Sequence, residues 1–150
     1  MNKIYAFIII IPVIALIFLK SMAFYEYDTK QKYIKNAIDA VAHKVMITGV
    51  MTAGDRKELV DELKRFGDFE DTDVIMEYGT LQSDGSISGL GAYTPGNVMD
   101  RGEIFSIYVQ SENESTLSRM EGAHGNGTDK LYYKAKATCR IEKNRNAGQR

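Results

Sequence analysis

Cysteine, tryptophan, histidine and proline are scarce in this chain of 150 residues, which has one Cys, no Trp, two His and two Pro. The single Cys139 excludes an internal disulfide and any metal site built on a pair of cysteines. The glycine-rich stretch GLGAYTPG, with Gly89 and Gly91, follows no strong strand, opens no helix and has no lysine placed for a phosphate. The sequence therefore predicts no enzyme, no cofactor and no small-molecule substrate.

Acidic residues are absent from residues 1–25, which carry only the two charges of Lys3 and Lys20. No charge interrupts residues 4–19, and apolar character continues to residue 25. As a helix, residues 4–25 extend roughly 33 Å, enough to cross a hydrocarbon core of about 30 Å. We predict a transmembrane anchor over residues 1–25 with membrane lipid as its partner. Its defining residues are Ile4, Phe7, Pro12, Leu19, Lys20 and Tyr25.

A cleaved secretory signal is the alternative interpretation of the same segment. Lys3 supplies a short basic region, and Ser21, Met22 and Ala23 form a small-x-small cleavage site. However, the apolar core exceeds the roughly 7–15 residues typical of a signal, and the helical pattern continues past Ala23 without a breaker. Cleavage there would yield a secreted or tethered binding module that begins at Phe24.

Charge alone leaves the orientation in the membrane open. Lys3 is the one lysine before the apolar segment, and more lysines follow it. The rule that basic residues stay on the cytoplasmic side would therefore place the large domain in the cytoplasm. Acidic residues alternate with most of those lysines, and a three-residue tail before Ile4 offers little signal. The lysines in question are Lys20, Lys30, Lys32 and Lys35.

A long amphipathic helix follows the apolar segment. Its apolar residues Ile34, Ile38, Val41 and Val45 are spaced by 4, 3 and 4 residues, so they share one face. No Pro or Gly interrupts residues 13–48, which predicts one continuous helix of about 45–50 residues. We predict that these four residues lie at the seam between this helix and a sheet.

A second, short helix is predicted after the glycine-containing break at residues 49–54. Asp55 has Glu58 three residues on, a capping-box spacing, and Gly67 is placed to end the helix. Apolar residues between them recur at helical spacing. We therefore expect the helix to begin just after Asp55.

The hydrophobic period changes to two beyond Gly67. Three strands are predicted, over residues 73–78, around Phe105, Ile107 and Val109, and over residues 131–141. A sheet with one apolar face needs a cover, which the two helices provide, so we predict an α+β fold with a small antiparallel sheet of three or more strands. Residues 26–142 form this soluble domain.

The remaining segments are predicted as surface loops and a tail. Gly79–Gly102 contains many glycines, and residues 122–129 are equally polar, so both are expected to be mobile loops. Residues 143–150 lack an apolar anchor and are predicted to form a basic disordered tail.

Three segments of this sequence resemble the TadE-like minor pilins of tight-adherence pilus systems and related, pseudopilin-like membrane proteins of Gram-positive conjugative elements. Phe7 and Pro12 in AFIIIIP match the E-F-A-L-V-L-P start of those proteins, YIKNAIDAVAHKVMITG resembles their helix and turn, and DRKELVDELKRFG resembles their short helix. The resemblance covers about residues 6–78. It implies a structural or assembly subunit of an envelope-spanning secretion, pilus or conjugation apparatus.

Two departures from that pattern affect processing. Ala6 stands where pilin-like proteins carry a glutamate, and no Gly precedes Phe7 to form a prepilin-peptidase site. That glutamate is expected to neutralise a neighbour's new amino terminus inside a filament, a pairing that a buried charge requires. We therefore expect an uncleaved, single-pass subunit of the cell membrane, with its soluble domain on the extracytoplasmic side.

The residues able to carry chemistry each have a structural interpretation. His43 and His124 have no second ligand three or four residues after them, which argues against metal binding. Cys139 shares the inward face of the last predicted strand with Ala137 and Ile141, as a small core residue does. A cluster of carboxylates is interpreted as a solvated loop, with calcium as a minor alternative because no calcium-hand pattern is present. These acids are Asp68, Glu70, Asp71 and Asp73.

Charge is distributed unevenly along the soluble domain. Residues 130–150 have a net charge of +6, whereas residues 26–129 have a net charge of −9. Lys134, Lys136 and Arg140, which we call the basic face, are predicted to point away from the core because they alternate with apolar residues. Their expected partners are other membrane subunits of the apparatus or another copy of the chain, rather than nucleic acid. A merely solvated strand face is the alternative.

Overall fold

The computed structural model describes residues 2–122 and 130–143, within which the chain forms three α-helices and four β-strands. The predicted loop 122–129 and tail 143–150 lie almost entirely outside the described residues, and His124 lies there too. The predicted α+β class is confirmed. The helices are α1 (Asn2–Thr48), α2 (Ala53–Leu63) and α3 (Thr116–Gly122), and the strands are β1 (Val74–Leu81), β2 (Ile87–Ala92), β3 (Glu103–Glu114) and β4 (Tyr132–Arg140).

The first helix is a single element of 47 residues with Pro12 inside it. Its continuity and length agree with the prediction from the missing breakers. The helix ends because Gly49 adopts a φ of +72°, a left-handed conformation that glycine alone adopts at little cost. The Gly49 N–H donates a hydrogen bond to the Val45 carbonyl oxygen at 2.7 Å, which closes the last turn.

The cap of the second helix differs from the prediction. Thr52, not Asp55, is the N-cap: its hydroxyl accepts a hydrogen bond from the Asp55 N–H at 3.1 Å, and the Asp55 carboxylate accepts one from the Thr52 N–H at 2.9 Å. Asp55 also accepts a hydrogen bond from Lys44 of α1 at 2.6 Å. Residue spacing alone does not show this contact with another helix, which holds Asp55 at the third position of the helix rather than at its cap.

The four strands form one antiparallel sheet in the order β2-β1-β3-β4. Alternate residues of the three longer strands point to one side, where α1 and α2 cover them, so the domain has two layers around one core. The buried apolar residues on that side are Val74, Met76, Phe105, Ile107, Val109, Tyr133, Ala135 and Ala137. The opposite side of the sheet, which we call the outer face, carries Ile75, Tyr108 and the basic face.

The prediction of a mobile loop over Gly79–Gly102 is wrong. Its first residues complete β1, and Ile87–Ala92 form the edge strand β2. Gly79 allows the two strands to approach closely, since a β-carbon there would lie 3.0 Å from the Ser88 carbonyl oxygen. The glycines that indicated a loop therefore serve strand pairing at this point.

The chain after β2 is also packed rather than free. Tyr93 and Met99 are buried, and the N–H groups of Gly96 and Met99 donate hydrogen bonds of 2.8 Å to the carbonyl oxygens of Met51 and Gly49. This segment thereby covers the connection between α1 and α2.

Candidate functional site

The first half of α1 is apolar and exposed on every side. Four consecutive isoleucines, residues 8–11, are each at least 50% exposed, and four consecutive residues cover all faces of a helix. The most apolar 18-residue window of α1 has a mean hydropathy of 2.6, and only 6% of it is buried. In length and composition, α1 is able to cross a membrane.

The predicted anchor residues lie along this exposed half. Four of them have large apolar or aromatic side chains that are exposed by half or more, while Pro12 lies within the helix. Lys20 has a partner that the sequence did not indicate, since its Nζ lies 3.8 Å from the Glu121 carboxylate of α3. Both side chains are more than half exposed, so this ion pair contributes little to the stability of the fold. The exposed anchor residues include Ile4, Phe7, Leu19 and Tyr25.

Burial of α1 by the folded domain begins at Ala23, just beyond the exposed ion pair of Lys20. Ala23 is 6% exposed, whereas Met22 and Phe24 beside it are 57% and 62% exposed. Because its own domain covers it, Ala23 is not free to pack against a second membrane helix, unlike the exposed Ala15.

The next turns of α1 bind the edge of β4. The ring of Tyr27 stacks on Tyr133 with 5.4 Å between centroids, and the Gln31 side-chain amide forms hydrogen bonds with the backbone of Lys134. Lys30 lies 6.0 Å from the centroid of the Tyr133 ring. Its hydrogen bond with Glu26 raises the pKa of Lys30 above its ordinary value. These contacts fix to the sheet the turns of α1 that follow its apolar segment.

The predicted seam residues lie between α1 and the sheet. Ile34, Ile38 and Val45 are at most 1% exposed, and Val41 is partly buried at the margin of the same core. Together they join the helix that carries the exposed apolar segment to the centre of the domain.

The basic face lies on the outer face of the sheet, and all three of its side chains are exposed. In register, Lys136 lies opposite Tyr108, which lies opposite Ile75. None of the ion pairs found within residues 2–122 and 130–143 involves these three cations. They are therefore available to an anionic partner.

The structure shows the surroundings of the residues considered above as a nucleophile, a metal ligand or a nucleotide-binding loop. Cys139 is partly buried, its thiol donates a hydrogen bond to the Ala42 carbonyl oxygen at 3.2 Å, and desolvation raises its pKa to about 11. It is therefore a thiol, not a thiolate nucleophile, at neutral pH. His43 is exposed on α1, and Gly89 and Gly91 lie in β2.

The acidic cluster after α2 is engaged in local structure. The Asn113 amide donates a hydrogen bond to Asp68, and the Asp73 carboxylate accepts one from the Glu70 N–H at 2.7 Å. Arg56 donates to the Asp71 carbonyl oxygen at 2.8 Å and holds its Nε 2.9 Å from the Asp71 carboxylate. In the part of the chain that the structure describes, no three His, Cys, Asp or Glu side chains are grouped to hold a metal ion.

A groove missed at the sequence level lies between α1 and α3. It has a volume of about 820 Å³ and an almost wholly apolar lining. Phe66, after α2, closes one end by stacking on Tyr33 of α1 at 5.1 Å. No sequence signal indicated it, because α3 was not predicted.

No protein-family model matches the chain, and no curated protein and no solved structure matches it significantly.

Proposed function

We propose that this chain is a non-enzymatic, membrane-anchored structural or assembly subunit of an envelope-spanning secretion, pilus or conjugation apparatus, similar to a minor pilin or pseudopilin. The observation that carries the proposal is the division of α1. One unbroken helix is apolar and exposed in its first half and forms the main core helix of the domain in its second half. Such a helix displays a folded domain at a fixed position beside a membrane.

The roles of the polar side chains support a structural function. The acids after α2 bind neighbouring backbone and side chains, and the Cys139 thiol is desolvated. The exposed features are the apolar half of α1 and the basic face, and both are surfaces for contact rather than for a reaction. Other membrane subunits and a second copy of the chain are the proposed protein partners.

The proposal includes an uncleaved amino terminus and an extracytoplasmic domain. Ala6, which directly precedes Phe7, is neither the glutamate nor the glycine of pilin-like proteins, so residues 1–23 are retained. The second candidate, a binding module released after Ala23, is favoured by one observation: the burial of α1 by the domain begins at that residue, so cleavage would spare most of the packed contacts.

Intact mass and amino-terminal sequencing of the protein from native membranes separate these possibilities. We expect a chain that retains residues 1–23 and resists carbonate extraction. A chain that begins at Phe24 would support the released module, and one that begins at Phe7 would indicate pilin-like processing. Ser21→Leu is a matched variant, because it blocks a small-x-small site at an exposed position. If residues 1–23 are retained, the mature variant should differ in mass from the mature wild-type protein only by the difference between leucine and serine.

Two further measurements address location and assembly. Protease added to intact cells should degrade the soluble domain if that domain is extracytoplasmic. Crosslinking in native membranes, followed by detergent extraction, should yield adducts with membrane proteins or with a second copy. Recovery of the protein only as a free monomer in the medium would contradict the assembly role.

A further inference from the structure

The groove between α1 and α3 lies partly inside and partly outside the hydrocarbon core of the proposed membrane. A hydrocarbon core of about 30 Å that begins at Ile4 ends about 20 residues later, near Phe24, at 1.5 Å per residue. Leu19 and Met22, which line the lower part of the groove, lie on the membrane side of that boundary. The wall of the groove is therefore continuous with the apolar surface that faces lipid.

The third helix is held at the same depth. Lys20, four residues inside the boundary, pairs with Glu121 of α3, and Ala23 is already covered by the domain. Leu117 of α3 is buried, while Met120 lines the groove and Arg119 is exposed. This short helix thus presents an apolar and a cationic side chain where acyl chains meet head groups, as interfacial helices do.

We propose that the groove is a lipid site: an acyl chain of a membrane phospholipid lies against Leu19, Met22 and Met120, with α3 in the head-group layer. This inference rests on the proposed membrane anchoring. An acyl chain suits the lining because almost every exposed atom of the groove is apolar. Lipid is favoured over a second copy because the lower part of the groove opens at a depth where lipid surrounds α1. The site would fix the rotation and tilt of the domain on the membrane.

The absence of tryptophan from the chain allows a direct test. Single-tryptophan variants of the full chain are placed in vesicles of phosphatidylcholine with or without brominated acyl chains, which quench indole fluorescence on contact. Met120→Trp reports the groove and Phe18→Trp reports the anchor. Ile47→Trp is the control, because Ile47 is 55% exposed and lies about 35 Å beyond Phe24 along α1.

We expect bromolipid to lower the emission of both Phe18→Trp and Met120→Trp about twofold or more, as for side chains inserted about 5–10 Å into the interface. The emission of Ile47→Trp should not change. Quenching of Phe18→Trp without quenching of Met120→Trp would overturn the lipid site but leave the anchor intact. Absence of quenching in Phe18→Trp would overturn the anchoring itself.

Circular dichroism verifies that each variant is folded. If Met120→Trp does not fold, Thr116→Trp replaces it, because Thr116 lines the same groove and is exposed. Quenching of that variant supports the site, and its absence in a folded, anchored protein refutes it.

Discussion

Tyr93 joins the segment after β2 to the connection between α1 and α2. The side chain is 5% exposed, and its hydroxyl donates a hydrogen bond to the Asn97 carbonyl oxygen at 2.5 Å. The same hydroxyl accepts a hydrogen bond from the Met51 N–H at 3.0 Å. The ring packs edge-on against Phe105, with 5.4 Å between centroids. Tyr93→Phe keeps the ring and removes only the hydroxyl.

The expected cost comes mainly from the Met51 N–H. Met51 is fully buried, so water cannot replace the lost acceptor, whereas Asn97 is exposed and its carbonyl oxygen can be hydrated. An unsatisfied buried donor costs about 1–3 kcal/mol. Tyr93→Phe should therefore lower the free energy of unfolding by about 1–3 kcal/mol, a substantial part of the roughly 5–15 kcal/mol typical of a domain.

Chemical denaturation of the full chain in detergent, followed by tyrosine circular dichroism, measures this change. Tyr108→Phe is the matched control, because the Tyr108 hydroxyl donates only to the exposed Gln110 side chain at 2.6 Å. That variant should change the free energy of unfolding by less than about 0.5 kcal/mol. If Tyr93→Phe proves as stable as Tyr108→Phe, the segment after β2 is not held as described.

Alkaline pH provides a second test of the same side chain. Burial raises the pKa of Tyr93 above its ordinary value of 10.0. The unfolded chain therefore releases the tyrosine proton before the folded chain does, so stability falls as pH rises above about 10. Tyr93→Phe should make this decline shallower without abolishing it, since burial also raises the pKa of Tyr133 and of Cys139.

Other changes test the core, the cap and the basic face. Ile38→Asp places a carboxylate in a fully buried position and should lower the free energy of unfolding by several kcal/mol. Lys35→Ser should change it little. If Ile38→Asp leaves the melting temperature unchanged, this face of α1 packs on something other than the sheet. The pKa of Asp55 is lowered to about 2, chiefly by its hydrogen bond with Lys44. Stability should therefore fall as pH drops from about 4 toward 2, and Asp55→Asn should show a smaller fall in denaturation experiments over that window. Replacement of the basic face by serines should weaken association in sedimentation experiments at 0.15 M salt, and the difference should vanish near 1 M, where the screening length falls from about 8 Å to about 3 Å. Equal, salt-insensitive behaviour of the two proteins would mean that these charges serve solubility alone.

The elements with a strong hydrophobic period were predictable from the sequence. The absence of breakers in residues 13–48 and the alternation of residues 131–141 identified α1 and β4, because each periodicity extends over many residues. The edge strand β2 was missed because its six residues, ISGLGA, contain two glycines that also favour loops. The seven-residue α3 was missed because it depends on tertiary contacts, such as the buried Leu117 and the Ser118 hydroxyl that accepts a hydrogen bond from the Leu131 N–H at 3.0 Å.

The candidate site also has parts that the sequence predicts and parts that it does not. Composition is sufficient to identify an apolar segment with no acidic residue, and alternation is sufficient to identify the basic face. The groove was not predictable, since its walls come from residues about a hundred positions apart and the pair of Lys20 with Glu121 has no local signature. Sequence patterns describe which residues share a face, whereas the partner of that face is set by the tertiary fold.

The direction of β4 relates the basic face to the proposed membrane. Gln31 of α1 contacts Lys134, and Ala42 contacts Cys139, so β4 runs alongside α1 and away from the anchor. Gln31 lies about 10 Å beyond Phe24 along the helix, which places Lys134 close to the head groups and Arg140 well above them. Because attraction to anionic lipid fades within about a Debye length, such lipid would compete with a protein partner for Lys134 but not for Arg140. Association through the basic face is therefore best measured in neutral detergent first, and an added dependence on anionic lipid would then be assigned to the end of the face nearest the membrane.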